Sequence, residues 1–267
     1  MPKKILITGS TDGIGLEAAK ILAGAGHSIL LHGRNAEKLA AVKASDPVFS
    51  NADTYRADLS DLAEVADMAA SISNDHSHLD VVINNAGVFK TSTTTTGYGL
   101  DIRYIVNTVA PYLLTQRLLP LMDRTGRVIN LSSAAQAPVE TGFTHGTTAM
   151  DHGNAYAQSK LAITMWTRHL SEVNSEGPAF ISVNPGSLLG TKMVKESYGM
   201  AGKDIGIGAD ILVKLATDSA FDDANGLYFD NDRGAFGSPH PDALKAQKSS
   251  ELVALIETQI TELLKEE

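Results

Sequence analysis

Two side chains capable of acid–base chemistry stand four positions apart, at Tyr156 and Lys160. The surrounding stretch has helical periodicity, so both side chains share one face of a helix. A free phenol has a pKa of about 10 and is a poor base at neutral pH, but a neighbouring ammonium stabilises the phenolate. The pair therefore predicts proton transfer, although the same spacing is also common on ordinary helix surfaces.

Two hydroxyl groups follow a short apolar run upstream, at Ser132 and Ser133. The run, residues 128–131, is predicted to be a central strand, and ligands bind beyond the carboxyl ends of strands in open α/β sheets. A serine in that place is able to donate a hydrogen bond to a substrate oxygen. Two serines after a strand are equally typical of a turn.

Three glycines, Gly9, Gly13 and Gly15, lie between the first apolar run and the first amphipathic stretch. A tight strand-to-helix turn needs residues without a Cβ if the backbone is to approach a pyrophosphate. The helix N-terminus adds free N–H groups and positive dipole character. A glycine turn without a ligand has the same spacing, but its position at the start of a βαβ unit favours a dinucleotide.

The end of the second apolar run distinguishes NAD from NADP. An NAD site places a carboxylate there for the ribose 2′-hydroxyl, whereas an NADP site places an arginine. Residues 32–35 read His-Gly-Arg-Asn, without a carboxylate. Arg34 is placed to pair with a 2′-phosphate, so the sequence favours NADP over NAD.

Short apolar runs alternate with amphipathic stretches along the whole chain. Strands are predicted at 5–7, 28–31, 54–57, 81–83, 128–131 and 179–183, with a seventh at 227–229. Helices are predicted between them, one capped by Asn35, one opened by Ser60, and a long one over 99–122 kinked at Pro111. This pattern indicates an α/β fold, a Rossmann-type doubly wound parallel sheet of about seven strands with helices on both faces.

No linker divides the chain, so we expect one domain over residues 1–267, ending in a C-terminal helix over 242–267 that packs on the body or on a second subunit. The 267 residues include 31 Asp+Glu against 22 Lys+Arg, and the net charge of -9 argues against a nucleic-acid partner. The absence of cysteine excludes disulfides, thiol catalysis and cysteine-bound metals. No uncharged stretch approaches the roughly 18 apolar residues of a membrane span, and we expect a cytoplasmic protein.

The motifs together resemble the short-chain dehydrogenase/reductase family. They occur in the family's order and extend from residue 3 to about residue 230. Residues 32–35 and 96–98 further resemble the branch of retinol-dehydrogenase-like and protochlorophyllide-reductase-like enzymes. The matching pieces are the glycine turn from Thr8 to Gly15, Asp58-Leu59, residues 84–87, Val106-Asn107, Ser132-Ser133, Tyr156 with Lys160, and residues 184–186 with Thr191.

The resemblance implies an NADP(H)-dependent oxidoreductase that transfers a hydride between the nicotinamide and a carbonyl/alcohol substrate. Tyr156 would be the general acid/base, and Ser133 would polarise the substrate oxygen, with Ser132 as the alternative. Lys160 would lower the phenol pKa and hold the nicotinamide ribose. Asn107 would place a water in a proton relay.

The resemblance also implies a set of cofactor contacts around the glycine turn and the strand ends. Many NADP-dependent members carry a basic residue where this chain has Asp12, so that position departs from the family pattern. The implied contacts are Gly9, Ser10, Thr11, Asp12, Gly13, Ile14, Gly15, Arg34, Asn35, Asp58, Leu59, Asn85, Ala86, Gly87, Tyr156, Lys160, Pro185, Gly186, Leu188 and Thr191.

The stretch between Ser133 and Tyr156 is longer than in most members of the family. Both of its ends are attached to predicted catalytic residues, so we interpret residues 134–154 as a mobile wall over the substrate pocket, with a surface excursion as the alternative. Its two histidines and two carboxylates lack helical spacing, and no metal site is predicted. The residues concerned are Gly142, Gly146 and Gly153 as hinges, and Glu140, His145, Asp151 and His152 as the rejected ligands.

The substrate class is indicated only by apolar residues that follow Gly186. They predict an apolar lid, hence a small, moderately lipophilic ketone, aldehyde or alcohol. Two other functions remain open: a catalytically silent NADP-binding sensor or scaffold, and a sugar-nucleotide epimerase or dehydratase, which usually spaces its last two glycines further apart. The lid residues are Leu188, Leu189, Met193, Tyr198 and Met200.

Overall fold

A computed structural model of the chain describes residues 1–265, apart from the side chain of Tyr198. Within these residues one sheet contains eight strands in the order β3-β2-β1-β4-β5-β6-β7-β8. The first seven strands run parallel and β8 pairs antiparallel with β7. Their bounds are β1 Lys4–Ile7, β2 Ser28–Gly33, β3 Asp53–Arg56, β4 Val81–Asn84, β5 Arg127–Leu131, β6 Ala179–Asn184, β7 Tyr228–Asp230 and β8 Ala235–Gly237.

The predicted doubly wound parallel sheet is confirmed. The number of strands differs from the prediction, because one further strand lies at the edge of the sheet. The sequence predicts about seven strands, whereas β8 adds an eighth. This strand has only three residues and is largely exposed. It therefore lacks the continuous apolar run by which a buried parallel strand is recognised.

Helices cover both faces of the sheet because its strands are apolar on both faces. Ile5 and Ile7 pack into one hydrophobic cluster and the intervening Leu6 into the other, as the two-residue period of a strand requires. One face carries α1, α2 and α9, and the other carries α3, α5, α7 and α10. The helices are α1 Gly13–Gly24, α2 Ala36–Ser45, α3 Leu62–Asp75, α4 Ile102–Tyr104, α5 Ala110–Leu118, α6 Thr141–Thr144, α7 His152–Val173, α8 Lys192–Tyr198, α9 Gly206–Thr217 and α10 Ala246–Leu263.

The strand order reverses at β1, which pairs with β2 on one side and with β4 on the other. Connections leave in opposite directions from this point, so a crevice opens beyond the carboxyl ends of the central strands. The glycine turn follows β1, and residues 85–87 follow β4. The topology therefore brings these two sequence-distant motifs to one edge of the sheet.

The long helix predicted over 99–122 begins later and is interrupted. It starts at Ile102, after the cap residue Asp101, and a π-helical turn, Ile105–Val109, separates α4 from α5. The Ala110 N–H bonds the Ile105 carbonyl five residues back. The break thus directly precedes Pro111, and such π turns are frequent at functional sites.

Two further helix boundaries differ from the sequence prediction. α3 begins at Leu62 and is capped by Asp61, whose carboxylate accepts from the Ala63 and Glu64 N–H groups, whereas the Ser60 hydroxyl donates to Asp58. The predicted helix over 242–267 is a 3₁₀ turn, Pro241–Leu244, followed by α10. Residues 266–267 lie outside the described part of the chain.

The C-terminal helix packs on the body of its own chain. Leu252, Val253 and Ile256 are buried in the same cluster as Trp166 of α7. Across residues 1–265, none of the helices combines the length and the apolar composition that crossing a bilayer requires.

The cap of α3 provides a test of this corrected boundary. Replacing Asp61→Ala removes the side-chain acceptor of the Ala63 and Glu64 N–H groups, and we expect a loss of about 1 kcal/mol in the free energy of unfolding. Asp61→Ser keeps a capping oxygen and should recover most of that loss. Urea unfolding measures both variants, and equal stabilities of the alanine variant and the wild type would contradict the assignment.

Candidate active site

The glycine turn is shaped by close backbone approach. Gly9 and Gly13 have φ values of +66° and +57°, in the left-handed region that glycine adopts without strain. A Cβ on Gly15 would lie 2.4 Å from the Asn85 amide nitrogen and 2.6 Å from the Gly9 carbonyl oxygen. The turn therefore leaves no room for a side chain where the backbone turns into α1.

The departure at Asp12 has a local explanation. Its carboxylate accepts from the Gly13 N–H at 2.7 Å and caps α1. An acidic group at a helix N-terminus is favoured by the dipole. The capping of α1 therefore accounts for an acidic residue at this position.

The turn is tied to the residues that follow β4. The Thr8 hydroxyl oxygen accepts from the Asn85 and Ala86 N–H groups, each at 3.0 Å. The Asn85 side-chain amide donates to the carbonyls of Thr8 and Gly9. Asn85 therefore holds the turn in place, and its amide donors are engaged by the protein.

A buried histidine that the sequence analysis did not identify supports the same turn. The Gly9 N–H donates to His32 Nδ1 at 3.0 Å, so Nε2 carries the imidazole proton and donates to the Ala57 carbonyl at 3.1 Å. Burial lowers the pKa of His32 to about 4, so the ring is neutral at physiological pH. The available signal was a polar residue directly after the apolar run of residues 29–31.

The adenosine side of the predicted site lies where β2 and β3 end. Arg34 is exposed directly after β2, and the Asn35 side-chain oxygen caps α2 by accepting from the Lys38 N–H. Asp58 accepts from the Ser60 hydroxyl and N–H. Leu59 is buried beside it.

The predicted catalytic pair lies on the second and third turns of α7. Lys160 is buried, and its ammonium donates to the Leu131 carbonyl at 2.7 Å. The same nitrogen lies 5.6 Å from the centroid of the half-buried Tyr156 ring. Burial lowers the pKa of Lys160 to about 8. The Phe89 ring packs edge-on against Tyr156, with centroids 5.0 Å apart.

Asn107 reaches the same place from the π turn. Its oxygen accepts from the Val88 N–H at 2.8 Å, and its amide donates to the Val88 carbonyl and the Ser159 hydroxyl. A Cβ on Gly87 would lie 3.2 Å from the Asn107 oxygen and 3.5 Å from the Lys160 nitrogen. Gly87, Asn107 and Lys160 therefore converge. Ser159, which the sequence analysis did not single out, fixes the amide orientation.

The two serines after β5 have different surroundings. The Ser132 hydroxyl is buried and bonds Thr164 and the Lys160 carbonyl. Ser133 is half-buried, and its hydroxyl oxygen accepts from the Ala135 N–H at 3.1 Å. The geometry thus favours Ser133 as the hydroxyl available to a substrate.

The residues after β6 form a turn that an acidic side chain organises. Asp232 accepts from the Ser187 N–H and hydroxyl and from the Asn184 amide, and Asn231 donates to the Pro185 carbonyl. Neither residue was predicted, because the loop after β7 reaches this place only in the folded chain. Thr191 caps α8 by accepting from the Val194 N–H.

The predicted apolar lid is only partly a surface feature. Leu188 is 41% exposed and has a positive φ of 57°, and Met200 is 44% exposed. Leu189 is buried instead. Met193 is half-buried, and the Tyr198 side chain lies outside the described residues.

The histidines of the 134–154 segment are occupied by protein groups. His152 Nδ1 lies 2.5 Å from a nitrogen of the buried Arg103, which also pairs with Asp101, and the His145 ring bonds the Thr141 carbonyl. In the described part of the chain, no three histidine or acidic side chains gather as a metal site would require.

This arrangement fits a dinucleotide. Backbone N–H groups at the start of α1 would face a pyrophosphate, and the turn is open beside Gly13, where an added Cβ would lie at ordinary van der Waals distance, 3.8 Å, from the Thr191 methyl group. The buried Lys160 ammonium faces the end of β5 beside Gly87, where a ribose hydroxyl would supply the polar partner that a buried charge requires.

Comparisons with known proteins identify the family and several relatives of this chain. A family model described as short chain dehydrogenase matches residues 3–202. Human retinol dehydrogenase 13 is 32% identical over 193 residues, covering 69% of this chain and 58% of the human protein's length. The short-chain dehydrogenase chyC of Penicillium rubens is 29% identical over 260 residues, covering 95% of this chain and 96% of its own.

Solved structures share the fold. A protein from Mycobacterium paratuberculosis superposes with a TM-score of 0.81 at 24% identity, over 97% of this chain and 93% of its own. A short-chain dehydrogenase from Escherichia coli CFT073, solved in complex with NADPH, has a TM-score of 0.70 at 26% identity, over 86% of this chain and 96% of its own. The first likeness concerns the fold alone.

The buried His32 generates a prediction about pH and stability. Its folded pKa of about 4 lies below the ordinary 6.5. Between these values the unfolded chain takes up a proton that the folded chain does not, so acidification lowers the free energy of unfolding. His32→Gln has no titrating ring and should lose stability less steeply from pH 6.5 to 4. Urea unfolding without cofactor measures this difference, and parallel pH profiles would refute it.

Proposed function

The chain belongs to the short-chain dehydrogenase/reductase family, and on that premise we propose that it is an NADP(H)-dependent oxidoreductase that interconverts a carbonyl compound and its alcohol. The observation that carries the proposal is the convergence of Tyr156, Lys160, Ser133 and Asn107 at the sheet edge that also holds the glycine turn. This complete set favours turnover over a silent sensor or scaffold.

In the proposed reaction Tyr156 moves the proton. The nicotinamide, when bound, supplies or accepts the hydride. During reduction the Tyr156 hydroxyl gives its proton to the substrate oxygen, and in the reverse direction the phenolate accepts it. The half-exposed Ser133 hydroxyl donates a hydrogen bond to that oxygen and polarises the carbonyl.

Lys160 makes this proton transfer possible near neutral pH. Its ammonium is buried and close to the Tyr156 ring, so its field on the phenolate is screened less than it would be in water. One of its N–H groups donates to the Leu131 carbonyl, which leaves the others for a ribose hydroxyl. Asn107 lies next to it and would hold the water through which the proton reaches solvent.

The cofactor proposal rests on Arg34. It is exposed directly after β2, where no carboxylate stands, and it pairs well with a phosphate. The short-chain dehydrogenase from Escherichia coli CFT073, which was solved with NADPH, supports the same choice.

The proposed substrate is a moderately lipophilic ketone, aldehyde or alcohol. Leu188 and Met200 present apolar surface in the segment after Gly186. Several relatives are named retinol dehydrogenases, whose named substrate is a lipophilic alcohol. These two observations agree on the class of substrate.

The cofactor choice predicts a selective effect at Arg34. Arg34→Ala should weaken NADPH binding by about tenfold to a hundredfold, the range for a hydrogen bond to a charged group. NADH binding should barely change, because NADH lacks the phosphate. Fluorescence titration with both cofactors measures this. Lys43→Ala, an exposed lysine in the last turn of α2, is the matched control. Equal losses for both cofactors would exclude the proposed pairing.

The proton-transfer role predicts the behaviour of Tyr156→Phe. This variant keeps the ring and removes the hydroxyl, so turnover should fall by about 10²–10⁴-fold, the usual size of general acid–base catalysis. NADPH affinity should remain close to that of the wild type. Near-normal turnover with NADPH and an aldehyde such as benzaldehyde would rule out the role.

The two serines serve as each other's control in the same assay. Ser133→Ala should lower turnover and leave thermal stability nearly unchanged. Ser132→Ala should mainly lower the thermal midpoint, because it removes buried bonds to Thr164 and the Lys160 carbonyl. The reverse pattern would transfer the role to Ser132.

A further inference from the structure

The long segment between Ser133 and Tyr156 runs beside α7, the helix that carries Tyr156 and Lys160 and that we call the catalytic helix. The Ala137 N–H donates to the Ala157 carbonyl at 3.2 Å, and the Glu140 N–H donates to the Gln158 side-chain oxygen at 2.9 Å. Ala157 and Gln158 directly follow Tyr156. We call residues 134–154 the substrate wall, because the segment begins directly after Ser133 and ends two positions before Tyr156, the two residues proposed to meet the substrate oxygen.

The far end of the wall packs into the protein. Phe143 is buried, and its ring meets the Tyr104 ring edge-on, with centroids 5.4 Å apart. Thr144 is also buried. A Cβ on Gly146 would lie 2.4 Å from the Gly99 carbonyl oxygen. The wall is therefore seated closely against residues 99–104 and does not project freely into solvent.

One side chain of the C-terminal helix connects these parts. Gln259 is only 9% exposed, and its amide nitrogen donates to the Thr144 carbonyl at 2.8 Å. Its oxygen accepts from the Tyr104 hydroxyl, also at 2.8 Å. Burial raises the pKa of Tyr104, so that hydroxyl remains a donor. Gln259 thus joins α10 to α6 and to α4 with both ends of its amide bonded.

The C-terminal segment also holds the opposite end of the wall. The His240 N–H donates to the Gln136 side-chain oxygen at 2.9 Å, and the Gln136 amide donates to the Ser133 carbonyl at 3.0 Å. The wall is therefore anchored near Ser133 and at Thr144 by residues that lie about a hundred positions later in the chain.

We propose that Gln259 is a positioning residue that holds the substrate wall against the catalytic helix and thereby sets which carbonyl compounds the site accepts. The proposal rests on the proposed oxidoreductase function for its specificity component. Its physical basis is the free-energy cost of a buried, unpaired polar group. Loss of the Gln259 amide leaves the Thr144 carbonyl without that donor. Conformations in which the wall moves away and water reaches this carbonyl then become more populated.

The test separates the two hydrogen bonds of Gln259. Tyr104→Phe removes the bond to the phenol and keeps the bond to Thr144. The double variant Tyr104→Phe/Gln259→Leu then removes the bond to the wall without leaving a buried hydroxyl unpaired. If the double variant fails to fold, Tyr104→Phe/Gln259→Met replaces it, because methionine is flexible, is close to glutamine in length and has no N–H to donate.

Amide hydrogen exchange measures the anchoring without reference to activity. We expect amides of residues 142–148 to exchange faster in the double variant than in Tyr104→Phe, while those around Gly13 remain unchanged. Equal exchange in the two variants would overturn the proposal, because Gln259 would then not hold the wall.

Kinetics measure the specificity component, with NADPH and a panel of benzaldehyde, cyclohexanone and all-trans-retinal. KM for at least one carbonyl compound should change by roughly three- to tenfold, the effect of one hydrogen bond, and the order of preference should shift. KM for NADPH should not change. A uniform fall in kcat with unchanged KM values would indicate a merely structural role and overturn the proposal. Absence of wild-type turnover on the panel would instead count against the proposed function, while the exchange result would still decide the anchoring.

Discussion

The buried ammonium of Lys160 is the constraint on which the catalytic half of the molecule depends. A charge removed from water is costly unless polar groups surround it, and here the Leu131 carbonyl accepts from it at the end of β5. That bond joins α7 to the end of β5 one helical turn from Tyr156. Gly87 lies close to the same group, since an added Cβ would be 3.5 Å from the Lys160 nitrogen and 3.2 Å from the Asn107 oxygen. The π turn before Pro111 brings the Asn107 amide to the same point.

Around the glycine turn, where the cofactor is proposed to bind, the strand ends are held together by uncharged hydrogen bonds. Neutral His32 accepts from the Gly9 N–H and donates to the Ala57 carbonyl, so it joins the glycine turn to the strand end that precedes Asp58. Asn85 joins the same turn to the residues after β4. Each of these bonds links two different strand ends. Together they hold the glycine turn in one conformation, so little conformational entropy would be lost there when a ligand binds. The two halves meet because the strand order reverses at β1.

The C-terminal helix α10 contacts both the catalytic region and the substrate wall. Its apolar face is buried against α7, and one of its polar residues, Gln259, donates a hydrogen bond to the Thr144 carbonyl of the wall. The sequence predicts that this helix packs on the body or on a second subunit and that the wall is mobile. In the folded chain, contacts of Thr144, Phe143 and Gln136 hold the wall at several points along its length.

Local sequence patterns were enough to predict the regular elements of this protein and its main motifs. Apolar runs alternating with amphipathic stretches predicted the parallel sheet, and fixed spacing predicted the glycine turn and the pairing of Tyr156 with Lys160, because strand and helix periods act over a few residues. Strand β8 was not predicted, since its three residues are largely exposed and carry no periodic signal. The roles of His32, Asp232 and Gln259, and the different surroundings of Ser132 and Ser133, appear only in the folded chain. Each depends on a hydrogen bond to a group that is distant in the sequence, and such partners become neighbours only when the sheet and its helices have packed.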